Sequence, residues 1–233
     1  MSRKTSHAAL NASGVASSTR KVVTRSPGHT VRAIHLPHLQ QAVIEADSSL
    51  ERDFVYVALA FAQLKTITHQ PFQLELGAGR YTPDFLVQFK DGSKVVVEVK
   101  PMSKLDGFAE KLAQAEAKLA SHSIKLIVAH DKMLRRDSRA QRAQQIRRYA
   151  KGRYPDSEQE LVLGALRCVA AGLPIQVILG LGVQKATLLH MVSHQQLQVC
   201  PDLDIGDDAI VRLPTMYNEE GCHAIRFANW LNA

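Results

Sequence analysis

The chain lacks any long uninterrupted apolar run. Its longest uncharged stretch, between Arg167 and Lys185, is broken by Gly172, Pro174, Gly180 and Gly182. It falls short of the roughly 20 apolar residues a bilayer helix needs, so no membrane span is expected. Cysteine is sparse: Cys168, Cys200 and Cys222 are odd in number and show no CxxC spacing. That argues against both a disulfide framework and a zinc finger, and points to a reducing compartment. There is no internal repeat, and the opening segment has no apolar stretch of the kind a secretion signal carries.

Acid is also missing where base is present. The first 44 residues hold six Lys/Arg and no Asp or Glu, and 132–153 hold nine Lys/Arg against the single Asp137. These segments carry +6 and +8 in a chain whose net charge is +7, which leaves −7 for everything else. Two basic segments thus sit on an acidic body, and segregated positive charge raises the expectation of a phosphate-bearing partner. A solvated face or an unstructured arm fits charge alone about as well. The Ser-rich opening is read as a basic arm in preference to a mitochondrial transit peptide, because the acid-free stretch continues through Pro27, Gly28 and Pro37. A chain of 233 residues with 45% apolar and 22% charged residues is otherwise an ordinary globular protein of one or two domains.

Periodicity gives the order of elements. Ser48, Ser49 and Glu51 followed by Phe54, Val55, Val57, Leu59 and Phe61 predict a helix over 49–63. Period-two pieces follow at 66–68 and 72–76, then strands over 85–89 and 94–100 separated by Lys90, Asp91 and Gly92. A helix over 104–120, a buried strand over 124–129 and a basic helix over 138–150 come next. Beyond Pro155 the texture changes. Helices over 157–171 and 184–194, a second helix opening at Pro174, and a turn near 204–208 give the outline of a winged helix-turn-helix.

The densest chemistry lies at Tyr81-Thr82-Pro83-Asp84 and in the strand Val95 to Lys100. In that strand Val95, Val97 and Val99 point one way, while Val96, Glu98 and Lys100 point the other. A carboxylate and an ammonium sharing the end of an apolar strand suit metal-assisted phosphodiester cleavage: the acid holds a hard cation and the lysine orients water and offsets phosphate charge. Asp84 joins them in only one register. With a two-residue Asp91-Gly92 loop it faces away from Glu98; with a three-residue Lys90-Asp91-Gly92 loop and a left-handed Gly92, Phe89 pairs with Ser93 and Asp84 lies opposite Glu98. Like charges so placed repel unless a cation neutralises them. Glu51 is a fourth candidate, although Ser48-x-x-Glu51 is also a capping box.

Pro83-Asp84 followed by Glu98-Val99-Lys100 is the PD-(D/E)xK nuclease signature. Its setting is more specific: SPGHTVRAIHLPH, SSLERDF, Gln70-Pro71, YTPDFLVQFKDG and VVVEVKP together resemble the TnsA family over about residues 25–130. The resemblance implies a two-domain α/β protein, with a restriction-endonuclease-like mixed sheet flanked by helices plus a mostly helical winged-helix C-terminal domain. Together with the basic arm read from composition over 1–24, the expected division is the endonuclease domain over 25–155, the winged helix over 156–213 and a tail over 214–233. It implies Glu51, Asp84, Glu98 and Lys100 as the catalytic set. Asp84, Glu98 and the carbonyl of Val99 would hold one or two Mg2+, with Mn2+ as a substitute. If two ions bind, a separation of roughly 3.5–4 Å is expected.

The resemblance further implies an endonuclease subunit that cuts the 5′, non-transferred strands of transposon-end DNA, working with a TnsB-like transposase and a TnsC-like ATPase. It also implies a bacterial cytoplasmic protein, nucleoid-associated when assembled. A stand-alone restriction or repair nuclease and a non-catalytic assembly protein are the alternatives. Phosphate contacts are expected from Lys132, Arg135, Arg136, Arg139, Arg142, Arg147, Arg148, Lys151 and Lys185, and loss of Arg147 and Arg148 is expected to weaken DNA binding. The helix over 184–194 carries only Lys185 as a firm charge, poor equipment for reading bases. That module is therefore expected to dock to transposase partners or to the DNA backbone. His190 and His194, four apart, lack an evident third metal ligand and are read as solvent-facing or phosphate-contacting. In the tail, Trp230 and Leu231 fit either a partner anchor or a return to the core.

Overall fold

A central valine-rich strand organises the computed structural model, which describes residues 32–77, 79–215 and 221–233. The segment 1–24 read as a basic arm lies outside these. The chain begins with a small hairpin, β1 (Arg32–Ile34) on β2 (Ile44–Ala46), and enters helix α1 (Ser49–Leu59). Strands β3 (Leu64–His69), β6 (Phe85–Phe89), β7 (Lys94–Val99) and β8 (Lys125–Ala129) form one sheet in that order. The first two pairings are antiparallel and the last is parallel. Between β3 and β6 a short hairpin, β4 (Leu74–Leu76) on β5 (Gly79–Tyr81), folds beside the sheet. Two 3-10 turns and helix α2 (Ala109–Ala120) make the crossover from β7 to β8.

The alternation along β7 decides which helix covers which face. Val95, Val97 and Val99 belong to the main apolar cluster with α1, while Val96 packs with Phe72, Tyr81, Leu86, Ala115 and Leu119 on the side of α2. Helix α1 is buried from Phe54 through Leu59, because helix α4 (Arg139–Arg148) packs over its far side. This helix stops at Leu59, where the sequence pattern runs on to 63. The apolar Phe61 that prolongs the pattern serves the turn into β3 instead, where it stays in the core.

The short helix α3 (Asp131–Arg135) and α4 lead into α5 (Asp156–Arg167), β9 (Leu173–Pro174), α6 (Ile175–Leu179), α7 (Lys185–Ser193) and β10 (Ile210–Val211). β10 pairs antiparallel with β9, and Gln198 bridges to Arg212. Pro174 stands just before α6 as its N-cap. One continuous apolar cluster runs from Ile34 through α1 and the sheet to Val162, Ile178, Leu188 and Leu203. The last helix, α8 (His223–Asn232), settles the two readings of the tail. Phe227, Trp230 and Leu231 are buried in the core, where Phe227 and Trp230 meet Phe61 in a group of aromatic contacts. The N-terminus of α8 is tied to the β6–β7 turn: His223 N–H donates to Asp91 Oδ2 (2.7 Å) and Ala224 N–H to Ser93 Oγ (3.1 Å). Among the described residues no helix is long and apolar enough to cross a membrane.

Candidate active site

The turn takes the three-residue form. Phe89 N–H donates to Ser93 O (3.0 Å), Gly92 has φ 85°, and Phe85 pairs with Val97. One step beyond that pair, Asp84 and Glu98 meet. Val99 N–H donates to Asp84 Oδ2 at 2.8 Å, and Gln70 N–H fixes the Asp84 carbonyl at the same distance. Lys100 closes the group: its Nζ is 2.7 Å from Glu98 Oε1 and 3.4 Å from Asp84 Oδ2.

Burial gives this arrangement its electrostatic character. Glu98 is only 4% exposed, and Asp84 and Lys100 retain a modest opening to solvent. Desolvation, then the neighbouring Glu98 charge, pushes the Asp84 carboxyl up to about 7, with Lys100 and the Val99 N–H working in the opposite sense. Lys100 is held above its ordinary value: burial alone would lower it, but Asp84 and Glu98 outweigh that. Tyr81, at the end of β5, donates its hydroxyl to Glu98 Oε2 at 2.8 Å. The sequence reading assigned Tyr81 no role. Its signal is spatial, because the β4–β5 hairpin carries the phenol to Glu98.

Glu51 realises its capping geometry. Its N–H donates to Ser48 Oγ (3.1 Å), while its carboxylate accepts from Asp47 N–H (2.8 Å) and Ser48 Oγ–H (2.9 Å). It nonetheless lines the same cleft of about 530 Å3 as Val99 and Lys100, with Lys104, Phe108, Asp131 and Arg135 on the other walls. Burial raises the Glu51 carboxyl above its usual range, against those hydrogen bonds.

Whether this site fits a divalent ion is a matter of donor chemistry. Among the described residues no three His, Cys, Asp or Glu side chains form a ready-made cage. Asp84 and Glu98 supply hard oxygens, and the cation beside them is the Lys100 ammonium. Two carboxylates with water filling the remaining positions suit Mg2+, which dehydrates reluctantly and needs few protein ligands. The fit is good.

The basic segment is dispersed. Arg139 is wholly buried and donates to the carbonyls of Leu231 (2.8 Å), Trp230 (3.1 Å) and Met133 (3.3 Å), with its guanidinium 4.7 Å from the Trp230 ring centroid. It is therefore removed from the phosphate-facing set, and its charge serves the C-terminal end of α8. Burial pushes it down to about 10, so it stays protonated at neutral pH. Arg136 pairs with Asp202 (2.8 Å), and Arg142 donates to the Asp202 carbonyl (3.0 Å). Arg147 lies over the Tyr56 ring at 4.8 Å. Arg135 pairs with the buried Asp53 (2.8 Å) yet borders the cleft. Lys132, Arg148 and Lys151 are exposed, and Lys185 pairs with Asp207 at 3.1 Å.

His190 and His194 are half-buried. They hydrogen-bond to the carbonyls of Tyr149 and Ala150, both at 2.9 Å, and His194 stacks near His38. They tie α7 to the segment after α4.

Residues 57–131 match the family model described as the TnsA-like endonuclease N terminal. Over that stretch the α/β body is similar to a TnsA-like endonuclease N-terminal domain. The match takes in Tyr81, Asp84, Glu98, Val99 and Lys100, begins after Glu51, and ends where α3 starts. No curated protein matches the chain. Within the matched stretch the acidic pair and its lysine all come from the β6–β7 hairpin and its immediate ends. The cleft walls come from α1, the turns after Pro101, and α3.

Proposed function

We propose that this chain is the DNA-cleaving subunit of a cut-and-paste transposase. It is a Mg2+-dependent endonuclease that hydrolyses the 5′, non-transferred strand at each transposon end, beside a TnsB-like transposase and a TnsC-like ATPase. The observation that carries this reading is the meeting of Asp84, Glu98 and Lys100 beside a cleft, in a stretch that matches the TnsA-like endonuclease domain. Mg2+, when bound, supplies Lewis acidity at the scissile phosphate and a water of lowered pKa.

The residues supply the rest. Asp84 and Glu98 offer oxygens to the ion, and the carbonyl of Val99 adds a neutral one. Lys100, already between the two acids, turns to offset charge on the phosphate and to orient the attacking water. Burial of Glu98 lowers the effective dielectric around its carboxylate, which strengthens its interactions with a cation. Glu51 caps α1 and adds negative charge at the cleft. We read the segment from α5 to β10 as a winged helix that docks to the transposase partners or the DNA backbone, since Lys185 is engaged with Asp207.

The test is a strand-resolved cleavage assay on a transposon-end duplex with TnsB-like and TnsC-like partners and Mg2+, comparing wild type with Asp84→Ala. Partner-dependent 5′-strand cuts are expected from the wild type, with a loss of about a thousandfold or more in the variant, since the ion supplies several kcal/mol of transition-state stabilisation. Cuts that persist in the variant would place catalysis elsewhere. Cuts by the purified chain alone would indicate a stand-alone nuclease. Failure of both proteins beside partners active at the 3′ ends would indicate an assembly subunit.

A further inference from the structure

The two oxygens of the Glu98 carboxylate are engaged by different kinds of group. Oε1 faces the Lys100 ammonium at 2.7 Å, on the side where a cation belongs. Oε2 accepts from the Tyr81 hydroxyl at 2.8 Å. Tyr81 and Glu98 are each 4% exposed, so water does not compete for that bond. The phenol is fixed by its surroundings: Tyr81 pairs with Leu74 across the β4–β5 hairpin and packs among Phe72, Leu86, Val96 and Leu119.

Resting on the nuclease reading above, we infer that Tyr81 is a positioning residue that sets ion selectivity: by occupying Glu98 Oε2 it leaves only Oε1 to a divalent cation. The two common hard cations differ in what they need from such a carboxylate. Mg2+ takes single oxygens in near-octahedral geometry and keeps several waters, whereas Ca2+ gathers six to eight oxygens and often draws both from one carboxylate. A glutamate restricted to one oxygen is adequate for Mg2+ and poor for Ca2+. Tyr81 thereby disfavours the larger ion without touching it.

The experiment is calorimetric titration of the purified full chain, free of DNA, with Mg2+ and separately with Ca2+, for wild type, Tyr81→Phe and Asp84→Asn. The phenylalanine keeps the ring's packing and removes only the hydroxyl. The expected result is divalent-ion binding that Asp84→Asn abolishes, together with a shift of the Ca2+/Mg2+ affinity ratio towards Ca2+ by roughly tenfold in Tyr81→Phe, the usual scale of such outer contacts. Circular dichroism and a melt of the same samples show whether the variant is folded.

An unchanged ratio in a folded Tyr81→Phe protein, with binding still lost in Asp84→Asn, overturns the role of Tyr81 and leaves the nuclease reading standing. Wild-type protein without Asp84-dependent ion binding overturns both. Infrared difference spectra of the Ca2+-loaded wild type, with Glu98→Gln as control, need no variant at position 81. Carboxylate band splitting of the one-oxygen kind supports the inference, and the narrower splitting of two-oxygen coordination overturns it.

Discussion

The β6–β7 hairpin and the segment around α4 are both dense in charge, and they use it in opposite ways. In the hairpin two acids and a lysine converge, with Glu98 almost fully buried and Asp84 pushed up to about 7 by desolvation and its neighbour. Around α4 the cations scatter: Arg139 goes inward to main-chain carbonyls, Arg147 lies on Tyr56, Arg136 pairs with Asp202, and Arg148 stays in solvent. The geometry of each element explains the difference. A strand has two faces, so residues two apart must share one. A helix turns about 100° per residue, so a run of arginines radiates in every direction and the surrounding packing decides where each one ends. Charge in the hairpin is gathered into one buried group, and charge in the helix is divided between architecture and surface.

The sharpest way to break this comparison is to remove the arginine that architecture has claimed. Arg139→Met deletes donors to two carbonyls at the end of α8 and to that of Met133 in α3, and leaves those acceptors buried. The expected cost is about 3–5 kcal/mol, as for breaking a buried charged contact. At about 2–4 °C per kcal/mol for a chain of this size, the melting temperature falls by roughly 10 °C. Divalent-ion affinity of the protein that remains folded at low temperature should not change. A melt within 2 °C of wild type, combined with weakened DNA binding, would return Arg139 to the phosphate-facing group.

In the hairpin the expected sign is reversed, because removing a charge there stabilises the metal-free protein. The ordinary carboxyl value for Asp84 is 3.8 and the folded state raises it to about 7. Between these values the native state keeps a proton that the unfolded chain has released, so stability is lost as pH rises through that window. Asp84→Asn escapes this loss while its side-chain oxygen can still accept from Val99 N–H. It should be about 2 kcal/mol more stable than wild type above pH 7.5 without divalent ions, and close to wild type at pH 4. Added Mg2+ should reverse the order by stabilising only the wild type. Melts at pH 4 and pH 8, with and without Mg2+, measure all of this. A variant less stable than wild type at both pH values would mean that Asp84 is chiefly a structural partner of Lys100.

How far the sequence anticipates each region follows the same geometry. The register that joins Asp84 to Glu98 was legible, since the alternation of Phe85, Val87 and Phe89 against Val95, Val97 and Val99 and a glycine at the third turn position leave one pairing that buries both apolar sets. The capping box of Glu51 was legible as well, and the geometry has it, with Glu51 also on the wall of the cleft. Tyr81 was not, because its bond to Glu98 joins residues 17 apart through a hairpin beside the main sheet. Nor was the burial of Arg139, whose partners Trp230 and Leu231 lie 91 and 92 residues further along. Periodicity shows what shares a face within an element, and it is silent about which distant element covers that face.

The smallest expected effect falls on the surface share of the basic segment, and it separates two adjacent arginines. Arg148 and Lys151 are exposed, whereas Arg147 has its guanidinium seated 4.8 Å from the Tyr56 ring centroid. Each phosphate contact contributes about 0.9 to the slope of log affinity against log salt on duplex DNA. Replacing Arg148 and Lys151 together by alanine should lower that slope by about 1–2 and weaken binding a few-fold at moderate salt, with no change in melting temperature. Arg147→Ala should do the converse: the slope stays as in the wild type, and stability drops by about 1 kcal/mol as the cation–ring contact is lost. Fluorescence anisotropy at four salt concentrations, paired with melts, distinguishes the two. Equal slope losses in both proteins would mean that Arg147 leaves Tyr56 when DNA arrives, and the line between architectural and surface arginines would then have to be drawn for the bound state.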